Sequence, residues 1–334
     1  MLQETLEFFG LRRLPTQVGI FDSEQLKSTT ASLQTAINQG VGLIALLGPS
    51  GVGKTRLLDK LWQDSLAAEG PYLVVRSMAP DKGQLSLSII LSEMTKAFGL
   101  RDRKKISERF SEIENFLLNS KKRVLLIIDE AHRLKPQILD QVRSLTDHEI
   151  EEHGETRKLL TIVLAAQAKL RWMLKSGFFE STSWRIMEIW LDPLDRQTDN
   201  YINWVLKQSG ADRQILSQEA QSEIKRITTT PGEIKALLWD TLQIAYSQGE
   251  DIVSAESVRT AAKFDPNNLL AKINKQGFTV QDVALLADCK KNIAEKVLRG
   301  IHQGNAESKE RITASAQQLL ALSASPLKSQ GIEP

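Results

Sequence analysis

Apolar residues along this chain fall into two kinds of run. Residues 41–47 (VGLIALL), 124–128 (VLLII) and 159–165 (LLTIVLA) are short and nearly unbroken. That pattern suits strands buried on both faces of a parallel sheet. Elsewhere apolar residues recur at helical spacing, as at Leu57, Leu58, Leu61, Trp62 and Leu66 after the first run. The chain opens with a short lead-in to a helix predicted over 24–38; further helices are predicted over 85–98, 106–118 and 135–147, and further strands over 72–77 and 186–190. Strands alternating with helices in this way predict a doubly wound α/β domain over residues 1–192. After Pro193 the strand signals stop, and 198–208, 217–227, 231–248 and 254–263 read as helices, a helical lid over 193–264. Turn chemistry at Asp265-Pro266-Asn267-Asn268 opens a small all-α domain, 265–323, and the Ser/Pro/Gly-containing tail 324–334 is expected to be disordered.

The turn after the first apolar run carries the strongest chemical signal. Gly48-Pro49-Ser50-Gly51-Val52-Gly53-Lys54-Thr55 matches G-x-x-x-x-G-K-[ST] in full, with a strand pattern before it and a helix after it. Glycines let the backbone curl so that its N–H groups form an anion nest at the positive end of the helix. Lys54 then meets the β- and γ-phosphates of ATP, the Thr55 hydroxyl is a ligand for Mg²⁺, and Arg56 adjoins the site. Asp129 and Glu130 follow the apolar run 124–128 directly. A carboxylate at such a strand end can hold the magnesium shell, and its neighbour can orient and deprotonate the attacking water. The pair therefore predicts hydrolysis as well as binding. His132 reads as a structural neighbour of Glu130.

Composition narrows the field without redirecting it. The chain has 334 residues, 41% hydrophobic and 25% charged, which is enough apolar material for two or three domains. One cysteine, Cys289, excludes an intramolecular disulfide and a thiolate-rich metal site. No apolar run reaches signal-peptide or membrane-span length, so a soluble cytoplasmic protein without membrane partners is expected. A net charge of +2 gives no global field for nucleic acid, although residues 269–334 carry nine Lys/Arg against six Asp/Glu.

Beyond the phosphate site, the sequence resembles AAA+ ATPases. The segments LEFFGLRRLP, LLIIDEAHRL, KLLTIVLAAQAKL and LDPLDRQTDNYI are similar to ExeA/GspA-type ATPases. With TPGEIKALL at 230–238 they also resemble the transposition regulators typified by MuB, TnsC and TniB. The resemblance covers residues ~6 to ~263, and only its phosphate-site motifs are highly specific. It implies that Gln167 ends a sensor strand and touches the γ-phosphate or the water; the alternative is a polar residue leaving a strand. It places Arg185 where these families put the arginine that reaches a neighbouring subunit's ATP; a surface ion pair is the alternative, and Arg171 is the other candidate. ExeA-like lids carry an arginine after the proline near Pro231, and here that position is Gly232. Lys235, one turn on, either substitutes for it or the lid makes no phosphate contact.

Residues 279–299 (TVQDVALLADCKKNIAEKVLR) put Val280, Val283, Ala284 and Ala287 on one helical face and Ile293, Val297 and Leu298 on another, with a break at 288–291. The small alanines let two helices cross closely. The segment resembles helix-turn-helix DNA binders, the one appended to MuB in particular, although the usual turn glycine is Asp288. Lys290, Lys291, Asn292, Glu295, Lys296 and Arg299 would then face DNA. A helical pair that binds protein or oligomerises is the alternative. The function expected is an ATP-dependent, DNA-binding regulator of transposition. It would form a homo-oligomeric ring or filament on double-stranded DNA and work with a transposase or target-selector protein. The rivals are a secretion-associated ExeA-type ATPase, which usually continues into a transmembrane helix and periplasmic part not seen in this sequence, and a signalling or defence ATPase.

Overall fold

A computed structural model describes residues 2–67, 72–78, 85–120, 122–147, 149–152, 155–175, 186–262, 268–301 and 306–322. Arg185, residues 265–267 and the tail 324–334 lie outside them. The chain divides into two compact units. One is Leu26–Gly48 with Lys54–Leu191, and the other is Met1–Gln25, Pro49–Gly53 and Asp192–Pro334.

The first unit is built on strands β1 (Leu43–Leu47), β2 (Tyr72–Met78), β3 (Arg123–Asp129), β4 (Glu149–Glu152), β5 (Glu155–Lys158), β6 (Leu160–Ala166) and β7 (Ile186–Trp190). Five of them form one parallel sheet in the order β2-β3-β6-β1-β7. Every side chain of β1 and β6 is buried, as the unbroken apolar runs require. β7 is an edge strand, and Met187 on it is exposed. From β1 the chain moves three places across to β2, returns through β3 and β6, and ends on the other side of β1 at β7. The carboxyl ends of β1, β6 and β3 therefore lie side by side at the point where the order reverses, the crevice that ligands use in open α/β sheets.

Two local features of this unit depart from the sequence reading. The helix predicted over 135–147 is Pro136–Ser144, with Pro136 in its first turn, and Leu145–Asp147 tightens into a 3-10 turn. β4 and β5 pair antiparallel, with Glu149 opposite Lys158, and form a hairpin that no apolar alternation announces. Its ends are tied by a Lys158–Glu149 ion pair.

The second unit is helical. Its core gathers Phe9, Leu11 and Val18 from the lead-in with Tyr201, Ile202, Ile234, Leu238 and Leu242. The lead-in is thus part of a core, with a helix at Leu2–Phe8 and Phe9 fully buried. The longest helix, Pro231–Gln248, starts at a proline and stops at Gly249, whose φ of 71° is the left-handed end a C-terminus favours. Further on come helices Leu269–Lys275, Val280–Leu286, Lys291–Leu298 and Ala306–Ala321. Thr279 and Asp282 form a capping box: the Asp282 carboxylate accepts from the Thr279 N–H at 2.7 Å, and the Thr279 hydroxyl accepts from the Asp282 N–H at 3.4 Å. Ala284, Ala287 and Ala294 are buried where the two helices of the 280–298 hairpin cross. No described helix is long and apolar enough to cross a membrane.

Asp288 occupies the turn of that hairpin with φ 47°, the left-handed conformation usually left to glycine. Aspartate tolerates it better than most residues, and a β-branched side chain does not. Asp288→Val is therefore expected to cost about 1–2 kcal/mol and to speed amide hydrogen exchange across 280–298, while Asp288→Gly leaves protection at the parent level or above it. A valine variant as protected as the parent contradicts this geometry.

Candidate functional site

β1 can release no polar side chain along its length, so the first group available to a ligand lies beyond Leu47. There the chain turns through Gly48–Gly53, and Gly51 (φ 76°) and Gly53 (φ 113°) take left-handed conformations closed to most side chains. It then enters the helix Lys54–Ala67, whose N-terminal N–H groups and dipole favour an anion. Lys54 is buried, and its Nζ donates to the Gly48 carbonyl at 2.8 Å. Burial pushes its pKa down to about 8, although the Glu130 and Asp129 carboxylates pull it upward.

β3 delivers the carboxylates. Asp129, 1% exposed, ends the strand, and the Thr55 hydroxyl at the start of the helix Lys54–Ala67 donates to its Oδ2 at 2.8 Å. Its Oδ1 accepts the Glu130 N–H at 2.9 Å. Thr55 and Asp129 thus present two hard oxygens to one point. A Mg²⁺ ion shared with nucleotide phosphates takes only one or two protein oxygens and keeps several waters, so these residues fit it. The described residues contain no cluster of three or more His, Cys, Asp or Glu suited to an all-protein metal cage.

Glu130 turns off the strand with φ 56°, a strained backbone of the kind that collects at functional sites. Its Oε2 lies 3.3 Å from Arg133 Nη2 and 3.7 Å from His132 Nε2. His132 is held down to about 4, first by burial and then by Lys54, Arg133 and Lys169, so its ring is neutral at pH 7. Its Nδ1 lies 3.5 Å from the Gln167 backbone N–H just beyond β6. Gln167 is buried there. Lys54, Thr55, Asp129, Glu130 and Gln167 therefore gather at the ends of three adjacent strands.

Other sequence candidates lie elsewhere. Arg56 is exposed on the helix after the loop. Arg171 is engaged within its own unit, with Nε 3.0 Å from Glu188 Oε2 and its guanidinium over the Trp190 ring. In the helical unit, Lys235 is half-buried one turn into the helix Pro231–Gln248. The loop apex belongs to that unit too. Gly51 accepts the Gly232 N–H at 2.8 Å, and a Cβ on Gly232 would meet Gly51 Cα and O at 3.0 Å. Ser50 N–H donates to the Lys275 carbonyl at 3.3 Å, and Lys275 Nζ pairs with Glu233 at 2.6 Å. Pro49 and Val52 complete the loop, with Val52 buried. On the C-terminal hairpin Lys290, Lys291, Asn292, Lys296 and Arg299 are all exposed, and Arg299 pairs with Glu295 at 2.9 Å.

Two charged groups escaped the sequence reading. Lys275 had no signal. Arg76 had one, an arginine inside the otherwise apolar strand YLVV-R, and its guanidinium reaches Asp129.

Comparison with known proteins agrees with this geometry. Residues 37–174 match the family model described as an AAA domain. The chain is 27% identical over 267 residues to general secretion pathway protein A of Aeromonas hydrophila, covering 77% of this chain and 47% of that protein. It spans about half the length of that curated relative. Among solved structures, the Aeropyrum pernix ORC2 protein in ADPNP–ADP complexes aligns over 98% of this chain and 87% of its own, at 16% identity and a TM-score of 0.52. The Drosophila ORC bound to DNA aligns over 99% and 81%, at 15% identity and a TM-score of 0.54. These structural likenesses are of fold. The chain has the α/β P-loop fold of AAA+ proteins, and residues 37–174 are the part similar to an AAA domain.

The depressed Lys54 pKa has a consequence for ligand binding. Below pH ~8 the ammonium is charged and attracts phosphate; above it the free protein must first take up a proton. ATP affinity is expected to stay level up to about pH 8 and then fall about tenfold per unit, measured with a fluorescent analogue. The unfolded chain holds this proton up to the ordinary lysine value, so the same group makes the fold more stable, not less, as pH rises above 8. Lys54→Arg should remove the break, and an unchanged break in that variant assigns it to another group.

Proposed function

We propose that the chain is an ATP-driven switch that assembles on duplex DNA and regulates transposition. The observation that carries the nucleotide half is the convergence of Lys54, Thr55, Asp129 and Glu130 on one strand edge. In this reading Lys54 and the N–H groups of Gly48–Thr55 hold the phosphates, and Thr55 and Asp129 hold Mg²⁺, which supplies charge for the leaving phosphate. Glu130 orients and deprotonates the water, and Gln167 senses the γ-phosphate. Arg185 completes the site of a neighbouring subunit, so that ATP favours the oligomer and hydrolysis dismantles it. The division into an ATPase domain, a lid at 193–264 and a C-terminal domain at 265–323 belongs to the same reading, as does a cytoplasmic location.

The DNA half rests on the exposed cations Lys290, Lys291 and Lys296, which gather on one helix of the 280–298 hairpin and just before it while Ala294, Val297 and Leu298 of that helix face inward. Such a surface suits phosphate contacts. Arg299, paired with Glu295, is the weakest of these candidates.

A second reading, a secretion-associated ATPase with a protein partner, draws on the match to general secretion pathway protein A. The lid argues against it. The position where ExeA-like lids carry arginine is Gly232, packed so closely on Gly51 that a Cβ there would press on the Gly51 backbone at 3.0 Å.

Binding to labelled duplex DNA separates the two. With a slowly hydrolysed ATP analogue the full chain should bind, and affinity should fall by about 0.9 log unit per neutralised phosphate for each tenfold rise in salt. Changing Lys290, Lys291 and Lys296 together to Ala should remove most of the affinity and flatten that slope while ATP turnover persists. Triple-variant binding equal to the parent's overturns the DNA surface, and no binding at any salt overturns the transposition reading.

A further inference from the structure

Arg76 sits on β2, opposite Ile127 of β3, where a strand between helices normally carries an apolar side chain. It is 21% exposed. One guanidinium nitrogen, Nη1, bonds the carboxylate of Asp59, which projects from the helix that follows the phosphate loop. The other, Nη2, lies 3.6 Å from Asp129 Oδ2, the same oxygen that accepts the Thr55 hydroxyl. Its Nε is buried with no acceptor. The guanidinium is therefore held between two carboxylates, one partly open to solvent and one sealed from it.

A carboxylate as buried as Asp129 is costly unless a cation lies near it. Two cations serve that role: Lys54, whose Nζ is turned to the Gly48 carbonyl, and Arg76. A divalent ion bound by Thr55 and Asp129 takes over the neutralising role, and it must then sit within a few ångströms of a fixed positive charge. Like charges at that range oppose each other strongly in a partly buried site. Asp59 offsets part of that opposition by balancing Arg76, although its side chain is more exposed than that of Asp129 and so more screened by solvent.

We propose that Arg76 is a positioning residue for the divalent-cation site: tethered by Asp59, it supplies the counter-charge of Asp129 before the cation arrives, and so sets the Mg²⁺ concentration at which nucleotide is held. This rests on the reading of Asp129 and Thr55 as the cation's protein partners. The Asp59–Arg76 pair acts as a graded brake. Removing Arg76 leaves Asp59 as an extra anion near the site and eases cation entry, whereas removing the Asp59 charge leaves Arg76 unbalanced and hinders it.

The test titrates Mg²⁺ against a fluorescent ATP analogue bound to the full chain, and follows thermal melting in chelator and in Mg²⁺ with ADP. Arg76→Gln should lower the Mg²⁺ midpoint about three- to tenfold, and Asp59→Asn should raise it by a similar factor. Arg76→Lys, which keeps the charge, should stay near the parent. The melting temperature of Arg76→Gln should fall in chelator and recover towards the parent's with Mg²⁺ and ADP. A side chain that only packs would give equal melting deficits in both conditions and leave the midpoint unmoved, and that result overturns the proposal. If Arg76→Gln does not fold, an Asp59→Asn midpoint equal to or below the parent's overturns it by itself. Asp129→Asn is the control: if its Mg²⁺ midpoint matches the parent's, the assignment of the cation site fails, and with it the premise, separately from Arg76.

Discussion

Strands β1, β3 and β6 are buried along nearly their whole length, so a charge can be placed on them only where they end. That constraint organises the rest of the structure. Because the strand order reverses at β1, the permitted ends are neighbours, and Lys54, Thr55, Asp129, Glu130 and Gln167 are brought together by topology before any side chain chooses a partner. The Thr55–Asp129 hydrogen bond at 2.8 Å then fixes the register of helix against strand at the one place where two hard oxygens must face the same point.

Once charges are confined to a strand edge, each must be balanced there. Asp129 is nearly sealed from water, Lys54 is buried enough to lose much of its proton affinity, and Glu130 stands on a left-handed backbone beside a neutral His132. The site holds more cost than a resting core would accept, and what offsets it is internal: Asp129 faces Thr55 and Arg76, Glu130 faces Arg133. A ligand carrying both phosphate charge and a divalent cation relieves Lys54 and Asp129 together. That coupling is the physical reason nucleotide and metal are expected to bind as one unit.

Much of this was legible in the residues themselves. The five sheet strands, the phosphate loop, the acidic strand end and the helix Pro231–Gln248 follow from periodicity, glycine placement and proline punctuation, which are local signals. What escaped was non-local or weakly patterned. Phe9, Leu11 and Val18 read as a lead-in because a handful of apolar residues without period do not say which core they will join. The β4–β5 hairpin is nearly all charged and threonine, so its sequence carries no apolar alternation to betray it. Gly232 stands where ExeA-like lids carry arginine; its close approach to Gly51 depends on a fold contact 181 residues apart in sequence and cannot be read from either neighbourhood. Arg185 lies outside the described residues, and its assignment remains part of the proposed function.

The central claim is that Glu130 acts on the water while Lys54 and its loop hold the phosphates. A single-turnover experiment, with Glu130→Gln in excess over radiolabelled Mg²⁺–ATP, tests it most directly. The amide keeps the shape of the side chain and loses its ability to take a proton. Binding should match the parent's, and the hydrolysis rate should fall by about 10²–10⁴-fold. Hydrolysis at the parent rate by a variant that binds ATP normally contradicts the account.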